Sequence, residues 1–371
     1  MADIEFSEEQ AMLLETAENF CRDRAPIAVV RKGLSEIDTH DPQLWQEIAE
    51  LGWLGISIPE AYGGLGLGLG EAVPVAESMG RHLLSTPFLA TTVAIQALIS
   101  SASDAQREEW LPRLAGGAIA TVALTEEDGN WNLNDVQATG TADGQYIALT
   151  GHKSMVLDAA AADLIVVSAK VDGATRLLLL ERDQLPAGAI VRQVAIDETR
   201  RCYDLRLDGA KLPTSALLPH TDMGAIEQAA LLLISAEISG GMVGVLSLIV
   251  EYLNTRKQFD RLIGSYQALK HPTVDILLAA EACRSHLYHA ATAIAAGDEH
   301  NAEVAVRMLK AQGSEAFAYA GDRAVQFHGG FGFTYECDAQ LYLRRALWCQ
   351  YQFGDDRHHR QLLAPLLLDA G

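Results

Sequence analysis

The stretch Ala229–Tyr252, AALLLISAEISGGMVGVLSLIVEY, runs on into Arg256–Gly264, RKQFDRLIG, and SYQALKH follows at once. Glu237 and Glu251 are its only charges before Arg256. A helix this apolar on every side has to be buried nearly all round, which predicts a helical bundle. Its length also reaches what a membrane span needs. The carboxyl of Glu237 at mid-length and the pair Gly240–Gly241 fit a buried bundle helix better, so no membrane insertion is expected. Arg256 and Lys257 stand where cations suit the negative end of the helix dipole.

Outward from this segment, composition bounds the protein. At 371 residues the chain is long enough for two or three domains with large cores. It is 49% hydrophobic and 21% charged, ordinary for a soluble globular protein. A formal net charge of −21 argues against nucleic acid as a partner and against docking on an anionic membrane. Any phosphate site must therefore be a local cluster of Arg, Lys or backbone N–H groups. The five cysteines are scattered and never spaced as CxxC, which points to a reduced, cytoplasmic setting. The acidic start MADIEFSEEQAML lacks the pattern of a signal peptide.

Taken in order, Phe6–Ala28 reads as a helix with Ser7 as its N-cap, and a second helix covers Asp41–Leu51 with Pro42 near its start. LGWLGISIPEAYGGLGLGLG, Leu51 to Gly70, matches no nucleotide-loop spacing and reads as a structural turn feeding a helix over Gly70–Arg81. Helices follow over Thr91–Ser101 and Asp104–Leu114. Short β-prone runs then appear at Thr121–Leu124, Tyr146–Thr150, Leu164–Lys170, Arg176–Glu181, Ile190–Ile196 and Tyr203–Ala210. With no helix-length segments between them, they predict an antiparallel barrel or sandwich. From Asp222 on, helical segments Asp222–Arg256, Gln267–Ala296, Asn301–His328 and Ala339–Trp348 predict a four-helix bundle, with a terminal helix near His358–Leu367. The expected architecture is α+β, divided into a helical domain over 1–118, a β domain over 119–218 and a helical bundle over 219–371.

Three motifs in this order carry a resemblance. PEAYGG near residue 60, R-x-x-F-x-x-x-I-G-x-x-Q from Arg256 to Gln267, and QFHGGFGFT from Gln326 to Thr334 together resemble the acyl-CoA dehydrogenase flavoproteins. The resemblance covers most of the chain and implies the same three-part fold, an FAD cofactor and an acyl-CoA thioester substrate. It implies that Arg256 and Phe259 hold the FAD diphosphate and pack on the cofactor. It also implies that Gln326, Gly329 and Gly330 reach the FAD of a neighbouring subunit, and that Thr125 in ALTEEDGNWN (Ala123–Asn132) lies along the flavin ring. Two departures stand out. Met155-Val156-Leu157 replaces the family's W-I-[TS], and Asp260 replaces the glycine after the phenylalanine.

The reaction implied, α,β-desaturation of the thioester, needs a carboxylate base close to the α-carbon. Phe353 stands where most members carry that glutamate, and Ala230 stands at the alternative position. Glu237, two turns beyond Ala230 on the same face, is the candidate base; Asp275, Asp355 and Asp356 are the other acids within reach of this reading. His358 and His359 lack companions at metal-ligand spacing, so no metal is expected. The small residues Ser235, Ser239, Gly240 and Gly241 suggest room for a bulky acyl group. The ending FGDDRHHR resembles the small subunits of heteromeric bacterial acyl-CoA dehydrogenases that degrade steroid side chains and dicarboxylic acids. A homo- or hetero-tetramer is implied, with a paralogous large subunit as the partner in the second case. The alternatives are a non-catalytic stabilising subunit and an enzyme of the same fold resembling flavin monooxygenases or nitroalkane oxidase.

Overall fold

The computed structural model describes residues 8–36 and 39–368; the expected cap Ser7 lies outside them. The first expected helix is two helices, α1 (Glu8–Arg24) and α2 (Ile27–Glu36). Pro26 divides them, because proline lacks an N–H and disfavours helical backbone in the residue before it. Next come α3 (Pro42–Glu50), α4 (Val73–Arg81), α5 (Phe88–Ser101) and α6 (Asp104–Ala115). Asp41 caps α3, its side chain accepting from the N–H groups of Gln43 and Leu44. A capping box of Ser103 and Gln106 opens α6. The glycine-rich stretch between α3 and α4 forms three short turns, Trp53–Gly55, Glu60–Tyr62 and Leu69–Ala72, as its sequence predicts.

Nine strands follow: β1 (Ala120–Ala123), β2 (Thr139–Asp143), β3 (Tyr146–Thr150), β4 (His152–Leu157), β5 (Leu164–Val171), β6 (Ala174–Glu181), β7 (Ile190–Gln193), β8 (Cys202–Arg206) and β9 (Lys211–Pro213). One sheet runs in the order β1-β5-β2-β3-β9 with β6 also paired to β5, and β4-β8-β7 form a second. The smaller sheet is antiparallel, as expected. The larger one is mixed, since β1 and β2 both run parallel to β5. A parallel pair needs a long connection between its strands, and here β2, β3 and β4 supply the one between β1 and β5. LIVVSAKV at the centre is buried at almost every position, so its near-continuous apolar run suits a central strand.

The chain then enters α7 (Met223–Thr255), a hairpin of β10 (Lys257–Gln258) and β11 (Arg261–Leu262), α8 (Gln267–Ala295), α9 (Glu299–Phe327), α10 (Ala339–Tyr351) and α11 (Asp356–Leu368). Helix α9 packs on α7, α8, α10 and α11, so the four-helix bundle has it at the middle. Among the described residues only α7 is long and apolar enough to cross a membrane, and 67% of its most apolar window is buried inside the fold.

Helix α4 crosses α7 at backbone contact. A Cβ on Gly240 would lie 1.7 Å from the Glu77 carbonyl oxygen, and one on Gly80 would lie 2.2 Å from that of Glu237. Ser239 donates to Glu77 at 2.8 Å, and a Cβ on Gly241 would strike the Phe317 ring at 2.3 Å. The small residues of α7 therefore serve close helix packing, which corrects the expectation that they leave room for an acyl group.

Candidate functional site

Two of the three motifs meet at one end of the bundle. Tyr252, in the last turn of α7, stacks on His328 at the end of α9 with ring centroids 4.0 Å apart. One turn further on, Arg256 caps α7, its N–H donating to the Tyr252 carbonyl at 3.0 Å. Beyond it the β10–β11 hairpin turns through Phe259 and Asp260, with φ of 52° and 59°. A two-residue hairpin loop of this kind needs left-handed backbone at both positions. Asp tolerates that conformation, which accounts for Asp260 where the family has glycine. The Ile263 N–H donates to the Arg256 carbonyl at 2.9 Å and ties the hairpin back to the helix.

On the facing side, α9 ends at His328, and Gly329 continues with φ of 63°, a left-handed position that glycine takes at least cost. Arg256, Gln326, Gly329 and Gly330 are all exposed, and Phe259 is 88% exposed. A Cβ on either glycine would meet nothing within 4 Å. The Arg256 guanidinium has no ion pair or hydrogen bond among the described residues. The structure thus brings five of the sequence-predicted residues together as an open surface: a free guanidinium, bare backbone N–H groups and an unburied aromatic ring. Such a surface has the donors for phosphate oxygens and an apolar face for a flat ligand.

Thr125 belongs to a separate cleft, lined by Leu89, Val93, Thr125, Met155, Leu157 and Phe353 among others. Its hydroxyl donates to the Ser154 carbonyl at 2.7 Å. Beneath it the fully buried Lys153 pairs with Glu126 at 2.7 Å and donates to Ser168 at 2.9 Å. Glu126 also accepts from the N–H groups of Gln137 and Ala138, so the loop after Thr125 is held rigidly. Across the cleft, buried Lys310 donates to the carbonyls of Gln350 and Gly354 at 3.0 and 2.7 Å, and to Ser314 at 3.1 Å. Burial pushes this lysine's pKa down to about 7. Its grip fixes the turn that carries Phe353, whose backbone is left-handed at φ 55°, like that of Met155 opposite.

None of the described side chains lining this cleft is a carboxylate, and its volume is about 30 Å³. Met155 and Phe353 leave little enclosed room for an isoalloxazine ring in this cleft. The other acids lie elsewhere or are committed. Asp275 is exposed on α8, Asp355 accepts from the His358 N–H, and Asp356 pairs with Arg360.

Glu237, the candidate base of the sequence reading, sits in a buried ion-pair cluster and does not line the Thr125 cleft. It is 2% exposed and ion-paired with Arg200, with Arg345 3.6 Å away. Arg345 in turn pairs with buried Asp197 and donates to Thr199 at 2.6 Å, and Arg200 lies over the Trp348 ring at 4.7 Å. A carboxylate enclosed by two guanidiniums joins α7 to α10 and to the loop before β8. The partners Arg200 and Arg345 escaped sequence reasoning because neither lies near Glu237 in the chain. A buried charge does demand a partner, so the signal that one existed was there.

The α11 residue His359 gives the region behind the cleft a pH dependence. It is buried beside Arg307, 3.4 Å from its Nδ1, and burial together with Lys310 and Arg307 holds its pKa down to about 3. The unfolded histidine protonates near 6.5. Its stabilising effect is therefore complete above that value and is lost as the pH falls towards 3. From pH 6.5 downward the expected loss is about 1.4 kcal/mol per pH unit. Denaturation midpoints measured between pH 6.5 and 5 should fall less steeply in His359→Gln than in the wild type.

With this geometry in place, comparisons with known proteins become informative. The family profile described as acyl-CoA dehydrogenase, N-terminal domain, matches residues 7–118, and that for the C-terminal domain matches residues 223–368. Acyl-CoA dehydrogenase IpdE2 of Mycolicibacterium smegmatis is 32% identical over 359 residues, covering 96% of this chain and 98% of that protein. Acyl-CoA dehydrogenase FadE12 of Mycobacterium tuberculosis is 31% identical over 312 residues, 80% of each chain. Among solved structures, the ChsE4-ChsE5 complex of Mycobacterium tuberculosis includes a chain with TM-score 0.90 and 25% identity, with 100% of both chains covered. A chain of the Tcur3481-Tcur3483 steroid ACAD has TM-score 0.89 and 27% identity, covering 98% of this chain and 99% of that one. Similar in sequence over nearly its whole length and in fold throughout, the chain belongs to the acyl-CoA dehydrogenase family.

Proposed function

We propose that this chain is one subunit of a heteromeric FAD-dependent acyl-CoA dehydrogenase and lends its bundle end to a cofactor seated in a paralogous partner. Arg256, Phe259, Gln326, Gly329 and Gly330 bind the diphosphate side of that FAD. The partner supplies the ring pocket, the carboxylate base and the acyl-CoA site. The observation that carries this reading is the contrast between the two clusters. The phosphate-binding surface is open and unpartnered, while the Thr125 cleft is narrow, is lined by Met155 and Phe353 and has no carboxylate among its described lining residues. Two copies of this chain alone combine good diphosphate surfaces with two narrow clefts that hold no described carboxylate, so a hetero-tetramer is favoured over a homo-tetramer. The complexes named among the similar structures, ChsE4-ChsE5 and Tcur3481-Tcur3483, support a two-chain assembly. Five free, buried cysteines suit a cytoplasmic setting.

The visible absorbance spectrum tests the proposal. Purified alone, the chain should be colourless. Coexpressed with a paralogous acyl-CoA dehydrogenase chain, it should copurify as a yellow complex whose flavin bleaches on anaerobic addition of acyl-CoA. A full complement of flavin in the chain purified alone would overturn the assignment.

A further inference from the structure

The open surface at the bundle end depends on the path of the chain after α9. From Gly329 and Gly330 it runs through Phe331, Gly332 and Phe333 to Tyr335 before α10 begins. Successive turn hydrogen bonds tie the segment to itself. The N–H groups of Gly332, Thr334 and Cys337 donate to the carbonyls of Gly329, Phe331 and Thr334 at 2.9, 3.0 and 3.2 Å. Gly332 lies against the end of α9, where a Cβ would come 2.1 Å from the Val325 carbonyl oxygen. Further along, the side chains face outward, with Phe333 76% and Tyr335 53% exposed. The far end of the segment is therefore held by polar contacts from other parts of the chain more than by burial.

Two residues from outside the bundle make those contacts. Arg31 of α2 donates to the carbonyls of Tyr335 and Glu336 at 2.7 and 2.9 Å and pairs with Asp338 at 2.7 Å. Glu198, in the loop before β8, accepts a hydrogen bond from the Tyr335 hydroxyl and pairs with Arg344 of α10 at 3.2 Å. Neither holder is itself loose. The Glu198 carbonyl accepts from Arg201 at 2.8 Å, and Arg201 also donates to Gly33 in α2 at 2.7 Å. Beside the part-exposed pair Glu198–Arg344 lies the buried pair Asp197–Arg345. Consecutive residues of one loop thus meet consecutive residues of α10. The inner pair anchors the loop, and the outer one reaches Tyr335.

We propose that Glu198 and Arg31 are positioning residues for the diphosphate surface: by fixing the Tyr335 end of the segment they set the direction of the Gly329 and Gly330 N–H groups, without touching the cofactor. This rests on the reading that those two glycines bind the FAD diphosphate. A segment ordered before its ligand arrives binds more tightly than a mobile one, because its freedom is not lost on binding. A tie between domains with no such role would change the stability of the fold and leave FAD affinity as it is.

Amide hydrogen exchange on the full chain alone, and FAD dissociation constants on the reconstituted heteromer, test the assignment. Tyr335→Phe removes one hydroxyl from a half-exposed ring, so the fold is retained. Exchange over residues 329–335 should then be about fivefold faster than in the wild type, with the rest of the chain unchanged. The FAD dissociation constant should rise about fivefold, the size of effect expected for one hydrogen bond. Glu198→Ala should weaken FAD binding at least as much. The double variant should be no worse than Glu198→Ala alone, because both changes remove the same contact. Glu198→Gln keeps an acceptor for the Tyr335 hydroxyl and should recover most of the affinity. Wild-type exchange in Tyr335→Phe, multiplied losses in the double variant, or no recovery in Glu198→Gln would each overturn the positioning role. So would unchanged FAD affinity in Tyr335→Phe where Arg256→Ala lowers it. Affinity unchanged in both Tyr335→Phe and Arg256→Ala would remove the diphosphate reading itself, and the positioning role with it.

Discussion

Glu237→Gln is expected to lower folding stability by about 3–5 kcal/mol, the usual cost of removing one partner from a buried ion pair. Arg200 loses its direct partner and Arg345 loses the charge 3.6 Å away, while both stay in the interior. Denaturant midpoints measured without change in slope would report this directly. In the assembled heteromer, under conditions where the variant is still folded, flavin bleaching by acyl-CoA should proceed at the wild-type rate. A base would behave in the opposite way, with little change in stability and no bleaching. Replacing Glu237 and Arg200 together by Met and Leu should cost less than Glu237→Gln alone. Arg345 then still has Asp197, and no unpaired charge is left inside. If the double variant proved the less stable one, the cluster would not be held together by charge pairing.

The sequence could single out Glu237 but not place it, because it shows a charge and not its surroundings. A lone acid in an apolar helix signals that it is paired or functional, and only the fold brings Arg200 and Arg345 to it. Glycines posed a similar ambiguity: Gly240 and Gly241 look like space along a helix, whereas helix α4 fills that space with backbone. Periodic features were easier to read. The long helices of the bundle and the run of short strands followed from hydrophobic spacing, since that spacing is set by which face is buried. Strands β2 and β9 were missed, the first largely exposed and the second three residues long, and β4 was missed because His152, Lys153 and Ser154 break its apolar pattern. The parallel pairing of β1 and β2 with β5 depends on contacts between distant segments, and local pattern carries no trace of it. The vacancies at Ala230 and Phe353 were plain from the sequence. That Met155 and Phe353 also line the narrow cleft beside Thr125 required their positions in space.

Arg256→Ala is expected to leave this chain's own stability within about 0.5 kcal/mol of the wild type, as for a surface substitution away from special features. The guanidinium is exposed and has no partner among the described residues, and only the backbone of Arg256 helps cap α7. The coexpressed heteromer should still assemble but bind FAD about 10- to 100-fold more weakly, corresponding to loss of hydrogen bonds to a charged group. Arg256→Lys should recover part of the affinity, because it keeps the charge and loses the planar fork that matches a diphosphate. Phe259→Ala should weaken FAD binding less, since it removes packing area and leaves every phosphate contact in place. These three variants rank by the kind of contact removed, whereas a mere stabilising subunit would show no ranking. FAD dissociation constants measured on the reconstituted apo-heteromer supply the comparison. Unchanged affinity in Arg256→Ala would mean that the open end of the bundle does not touch the cofactor, and the proposed role would fall with it.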